Sequence, residues 1–266
     1  MAAVSMQRPL CTLLLAGLAA LGGCAAPQEA AQTELTVFAA ASLTETLTEI
    51  AEDYAAVAPE VRVTFNFDSS GTLMTQIEQG AVCDLFLSAG QQQMDALQAA
   101  GCIDAATRTD LLENRVVLAV PAGNPAQLSG FDDLAARLRA GGVLLAVGNR
   151  DVPVGQYTAG IFDHYGLDED TLAASGCLTY GSNVKEVVLQ VREGSVDAGI
   201  IYATDATSAA LPVVEQASAD LCGRVSYPAA VPADAPHPDE AAAFLDYLQS
   251  DAAMAVFTAV GFAPAN

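Results

Sequence analysis

The 266-residue chain has no tryptophan, two histidines and a single lysine, Lys185, among only ten basic residues. Each scarcity argues against a class of function. Without tryptophan there is little from which to build a stacking platform for bases. The 32 acidic residues leave a net charge of −22, which repels a phosphate backbone, so no nucleic-acid partner is expected. His164 and His237 are too few for a histidine-rich metal centre. A serine-dependent enzyme would need one of them as its base, yet His164 falls at a helix end and His237 between two prolines. The chain also has no G-x-S-x-G elbow, so an enzyme is not expected. Glycine (21) and proline (12) stand at ordinary levels, which excludes collagen-like and low-complexity chains. With 52% hydrophobic and 16% charged residues, the chain can bury the core of one or two domains.

Residues 1–20 carry Arg8 as their only charge, and an apolar stretch runs from Leu10 to Leu21. That is the pattern of an export signal, too short for a mature membrane-spanning helix. It ends in Leu21-Gly22-Gly23-Cys24, which resembles a bacterial lipobox. Residues 1–23 are expected to be a lipoprotein signal peptide, Cys24 the lipidated first residue, and residues 24–33 a small, polar tether. The protein is then exported and lipid-anchored to the bacterial cell membrane, facing the periplasm or cell exterior. Its charge keeps the rest of it away from anionic head groups.

Setting Cys11 and Cys24 aside leaves Cys83, Cys102, Cys177 and Cys222. An even number in an exported chain points to disulfides, with three pairings possible. Cys83–Cys102 and Cys177–Cys222 are favoured: Cys83 opens an apolar strand and Cys102 ends the helix that follows it. The spacings match no zinc site.

Leu35–Ala41, Val61–Phe67 and Asp84–Ser88 read as strands, each followed by a helical pattern. The alternation restarts with strands at Arg115–Val120, Val143–Val147, Leu178–Tyr180 and Ala198–Tyr202. Val225–Val231 is a strand broken by Pro228, and the chain closes with helices over Asp239–Gln249 and Asp251–Val260. This order gives an α/β fold of mostly parallel sheets flanked by helices. Two lobes account for it, residues 34–118 plus 229–266 and residues 119–228, with a ligand cleft between them.

Three strand-to-helix junctions carry an apparent cap: Ser42 (with Glu45 as a capping box), Ser70, and Asn183 (with Glu186). A fourth, Pro153-Val154-Gly155, starts a helix with proline at its first position. Such helix starts offer unpaired N–H groups to an anion.

The blocks Leu35–Leu43 (LTVFAAASL), Asp68–Leu73 (DSSGTL), Val152–Tyr157 (VPVGQY) and Gly199–Ala206 (GIIYATDA) stand in one order along the chain. Together with Cys83–Ala89 and Asn114–Leu118, they resemble the periplasmic molybdate-binding proteins of bacterial ABC importers. The likeness covers nearly the whole mature chain. It implies the two-lobed periplasmic binding protein fold (type II), an oxyanion as ligand, no cofactor, a monomer, and an ABC permease as partner. It further implies that molybdate or tungstate is held by hydroxyl and backbone donors of Ser42 and Ser70, backbone N–H groups of Val154 and Val184, and the phenol of Tyr202. Molybdenum or tungsten then enters only inside the bound oxyanion.

All five groups can donate, which suits a fully deprotonated dianion. Phosphate keeps a proton at neutral pH and needs an acceptor, for which Asp68 is the neighbouring candidate. Another tetrahedral oxyanion, sulfate or phosphate, is thus the alternative ligand.

Overall fold

Leu35, Val37 and Ala39 are fully buried, as a central parallel strand covered on both faces requires. They belong to β1 (Thr33–Ala40) of a computed structural model that describes residues 32–265. The expected signal peptide, Cys24 and nearly all of the tether lie outside the described residues.

The first lobe begins with β1, a 3₁₀ turn (Ala41–Leu43), α1 (Thr44–Val57), β2 (Val61–Asp68), α2 (Ser70–Glu78), β3 (Leu85–Leu87), α3 (Gln91–Ala99) and β4 (Thr109–Asn114). The second holds β5 (Val116–Ala119), α4 (Phe131–Ala140), β6 (Leu145–Gly148), α5 (Pro153–Tyr165), α6 (Glu169–Ala174), β7 (Leu178–Gly181), α7 (Val184–Arg192), β8 (Ala198–Tyr202), α8 (Ala203–Ser208), β9 (Val213–Gln216) and α9 (Ala219–Cys222). The chain then returns to the first lobe as β10 (Val225–Ala230), α10 (Pro238–Leu248), α11 (Asp251–Val260) and β11 (Ala263–Pro264).

The first sheet has six strands in the order β11-β4-β10-β3-β1-β2, the second five in the order β7-β6-β8-β5-β9. Both are mixed. Each has a parallel core, β2-β1-β3 in one and β7-β6-β8 in the other, extended by antiparallel strands. The antiparallel strands are those next to the crossings between lobes.

The chain crosses at Arg115, directly between β4 and β5, and returns between Gln216 and Val225. The boundaries expected at 118/119 and 228/229 therefore move, because Val116–Ala119 pairs in the second sheet and Val225–Pro228 in the first. The cause is β4: Thr109–Asn114 has two apolar residues in six and gains its strand form by pairing with β10.

Helices cover the sheets through one apolar face each. In α1, Leu47, Ile50 and Tyr54 are buried at helical spacing. Tyr54 sits 4.9 Å from the rings of both Phe244 and Tyr247 on α10, which ties the first helix to the carboxyl-terminal return.

The expected disulfides are not formed; Cys83, Cys102, Cys177 and Cys222 are free thiols. Cys83 and Cys102 do share one small apolar cluster, as the strand–helix argument required. Each sulfur nevertheless faces a local carbonyl, Cys83 Sγ that of Leu85 at 3.3 Å and Cys102 Sγ that of Ala100 at 4.0 Å. Cys177 lies against Leu138 at the end of α4, whereas Cys222 ends α9, packed against Gly160 of α5. Their elements do not bring those two sulfurs together.

Candidate functional site

The carboxyl ends of β1, β2 and β3 in one lobe face those of β6, β7 and β8 in the other. Between them lies a small cavity with about 10 Å³ of space for a water-sized sphere. Its lining is Ala40, Ala41 and Ser42 after β1, Asp68, Ser69 and Ser70 after β2, Ala89 after β3, Val152 and Pro153 before α5, Asn183 and Val184 before α7, and Tyr202 at the end of β8. Strand ends of this kind are where open α/β sheets bind ligands. The space is about that of a single water, so the two lobes stand close around it. Larger hollows exist, such as one of about 290 Å³ around Glu45, Lys185 and Asp205, but they do not gather the strand ends of both lobes.

Four of the five expected residues, Ser42, Ser70, Val184 and Tyr202, line this cavity. Val154 is one residue behind Pro153, with its side chain fully buried. Both Val154 and Val184 stand in the first turn of a helix, where backbone N–H groups have no partner within the helix.

The serines are not caps, contrary to the sequence expectation. Ser42 is inside the 3₁₀ turn, and α1 has no side-chain cap. Ser69, one residue earlier than expected, caps α2 by accepting from the Thr72 N–H at 3.1 Å. Asn183 does cap α7, accepting from the Glu186 N–H at 3.2 Å, while the Glu186 carboxylate accepts from Ser182 rather than from Asn183 itself.

The two hydroxyls are thereby left for other work. Ser70, completely buried, accepts from the Ala89 N–H at 2.9 Å, so its own proton is available to donate. Ser42 lies 2.9 Å from the phenol of Tyr227, a fully buried residue that the sequence did not single out. The Tyr202 O–H reaches the Ala89 carbonyl of the opposite lobe at 3.5 Å. Burial raises both Tyr202 and Tyr227 well above the usual phenol range, so both keep their protons.

The only charged side chain in the lining is Asp68. Its Oδ1 accepts from the Ser69 N–H at 2.7 Å and faces the Asn183 amide of the other lobe at 3.5 Å. Among the described residues no cation lines the cavity, so an anion placed there meets neutral donors and the Asp68 carboxylate. Neither histidine lines it either: His164 is exposed, and His237 pairs with the buried carboxylate of Asp84. Ser42 and Ser70 therefore have no histidine base beside them.

Just behind Val184, Lys185 Nζ lies 2.9 Å from Asp205 and 2.7 Å from Glu45. Asp205 belongs to the second lobe and is buried, Glu45 to the first and is half exposed. Burial pushes the Asp205 carboxyl up to about 6, against the opposing pull of the Lys185 ammonium. Burial works against the Lys185 charge, yet Asp205 and Glu45 outweigh it and raise the ammonium above its ordinary value.

Residues 35–263 match the model of the bacterial extracellular solute-binding proteins. A Bacillus subtilis (strain 168) protein bearing the name ABC transporter substrate-binding lipoprotein YvgL is 35% identical over 91% of this chain and 92% of its own. The molybdate-binding protein ModA of Escherichia coli (strain K12) is 35% identical over 94% of this chain and 96% of its own. Among solved structures, the periplasmic molybdate-binding protein of Azotobacter vinelandii superposes with a TM-score of 0.76 at 22% identity, covering 87% of this chain and all of that one (100%). That last likeness concerns the fold alone, and it is the two-lobed fold of periplasmic binding proteins. The chain belongs to the bacterial extracellular solute-binding proteins, is of the ModA type, and is a solute-binding protein of an ABC transporter.

Proposed function

We propose that the protein captures molybdate or tungstate in the cavity between its lobes and delivers it to an ABC permease. One observation carries this reading: a small cavity without a cation, in which buried Ser70 has its acceptor side occupied by a backbone N–H and its proton free. With Ser42, Tyr202 and the first-turn N–H groups of Val154 and Val184, that makes a set able to surround a tetrahedral dianion. A buried dianion needs such complete hydrogen bonding. The relatives named for molybdate support the choice of ligand.

The same reading has the protein exported, held at the membrane through lipid on Cys24, and monomeric. The lipoprotein name of the Bacillus relative supports the anchor. No helix of the described residues is long and apolar enough to cross a membrane.

Asp68 favours a second reading, because a carboxylate in the lining accepts the proton that phosphate retains. Thermal unfolding with each oxyanion separates the two. A ligand at a hundredfold its Kd adds about 2.7 kcal/mol to the folded state. Molybdate and tungstate are expected to raise the midpoint; a rise with phosphate alone selects the second reading.

A further inference from the structure

Tyr227 is fully buried on β10, at the register shift that precedes Pro228. Its hydroxyl has two hydrogen-bond partners among the described residues: the Ser42 hydroxyl at 2.9 Å and the Asn114 side-chain nitrogen at 3.2 Å. Asn114 is the last residue of β4, at the crossing between lobes. Its side-chain oxygen accepts from the Arg115 N–H at 2.8 Å, which fixes the amide, and its nitrogen also donates to Thr204 in the second lobe at 2.9 Å.

The direction of every proton in this chain follows. An amide nitrogen only donates, so Tyr227 Oη accepts from Asn114. If Ser42 also donated to Tyr227, the buried phenol proton would have no acceptor, a costly arrangement. The phenol proton therefore goes to Ser42, which takes it on one of its two lone pairs and turns its own proton outward to the cavity. Ser70 is served in the same way by the Ala89 N–H.

We infer that Tyr227, set by Asn114, is a positioning residue that commits the Ser42 hydroxyl to donating, and so makes this corner of the site select oxyanions that present only acceptors. The inference deepens the proposed function and rests on it for the ligand. A protonated oxyanion, whose O–H seeks an acceptor, is disfavoured at Ser42 because that hydroxyl turns its proton to the cavity and one of its two lone pairs is already engaged by Tyr227.

A double-mutant cycle on molybdate binding tests this, with Tyr227→Phe, Ser42→Ala and the double variant, and Asn114→Ala as a second route to the same loss. Tyr227→Phe should weaken molybdate binding about tenfold, as expected for a lost hydrogen bond that supports a contact to a charge. The double variant should bind no more weakly than Ser42→Ala alone, since both remove one oriented contact. Full affinity in Tyr227→Phe, or losses that add in the double variant, overturns the inference while wild-type binding still upholds the ligand. Neutron diffraction from unliganded crystals decides the orientation even if wild type binds no molybdate. A deuteron on Tyr227 Oη directed at Ser42 supports the inference, and one on Ser42 Oγ directed at Tyr227 overturns it.

Discussion

Gly71, in the first turn of α2, packs so tightly on Asp151 that a methyl group on its α-carbon would overlap the Asp151 carbonyl oxygen. Gly71 belongs to one lobe and Asp151 to the other, so the contact exists only with the cleft shut. Gly90 approaches Pro153 across the same cleft, at 3.3 Å for such a methyl.

Gly71→Ala is therefore expected to wedge the lobes apart without harming the fold, since alanine favours a helix by about 1 kcal/mol over glycine. Oxyanion affinity should fall about tenfold or more as the closed population shrinks. Titration of the variant reads the loss, and small-angle scattering with ligand should show a wider particle than wild type. Equal affinity and equal dimensions would show that closure does not depend on this contact.

Lys185 and Glu45 join the lobes at the edge of the site. Glu45 is half exposed and Lys185 partly so, which keeps the pair's worth to about 1 kcal/mol and lets salt screen it in part. Glu45→Gln should weaken ligand binding by about two- to fivefold at low salt and by little at high salt. Calorimetry at two ionic strengths checks both figures.

Asp205 gives a pH dependence of definite sign. Its carboxyl is raised to about 6 by burial, so between about 4 and 6 the folded protein holds a proton that the unfolded chain has released. The stability this group contributes is present at low pH and is lost as pH rises through that window. Relative to Asp205→Asn, wild type should lose ground between pH 4 and 7, measured by denaturant unfolding at each pH. Lys185→Met should deepen the loss at pH 7 by leaving the buried carboxylate without its cation.

The four thiols should behave as two classes. Cys102 and Cys222 are partly exposed and should react with an alkylating reagent in the native protein. Cys83 and Cys177 are buried, and burial pushes the Cys83 thiol up to about 12, so both should react only on unfolding. Intact mass without reductant should show all four alkylated after unfolding.

Much of this was readable in the residues. The strand–helix alternation gave the parallel cores, and β1 and β8 announced themselves as short apolar runs. Ser42 and Ser70 stood out as apparent caps at strand-to-helix junctions, whereas Val184 and Tyr202 as binding residues came only from the family resemblance. Other features depended on contacts distant in sequence. The strand form of Thr109–Asn114 is conferred by β10, more than a hundred residues later. Tyr227, which joins Ser42 to Asn114, reaches them only after both crossings between lobes have been made. The capping serine of α2 was misplaced by one because Ser69 and Ser70 are the same letter; folding assigns one to the helix and the other to the cavity.

The central claim is a cavity that takes a fully deprotonated tetrahedral oxyanion by neutral donors. Calorimetric titration with molybdate, tungstate, sulfate and phosphate at two pH values tests it most directly, with Ser42→Ala and Ser70→Ala alongside. One-to-one binding of molybdate and tungstate is expected, with sulfate and phosphate silent and each serine variant weaker by about tenfold or more. Phosphate binding that fades as pH rises, with molybdate silent or both serines dispensable, would contradict it.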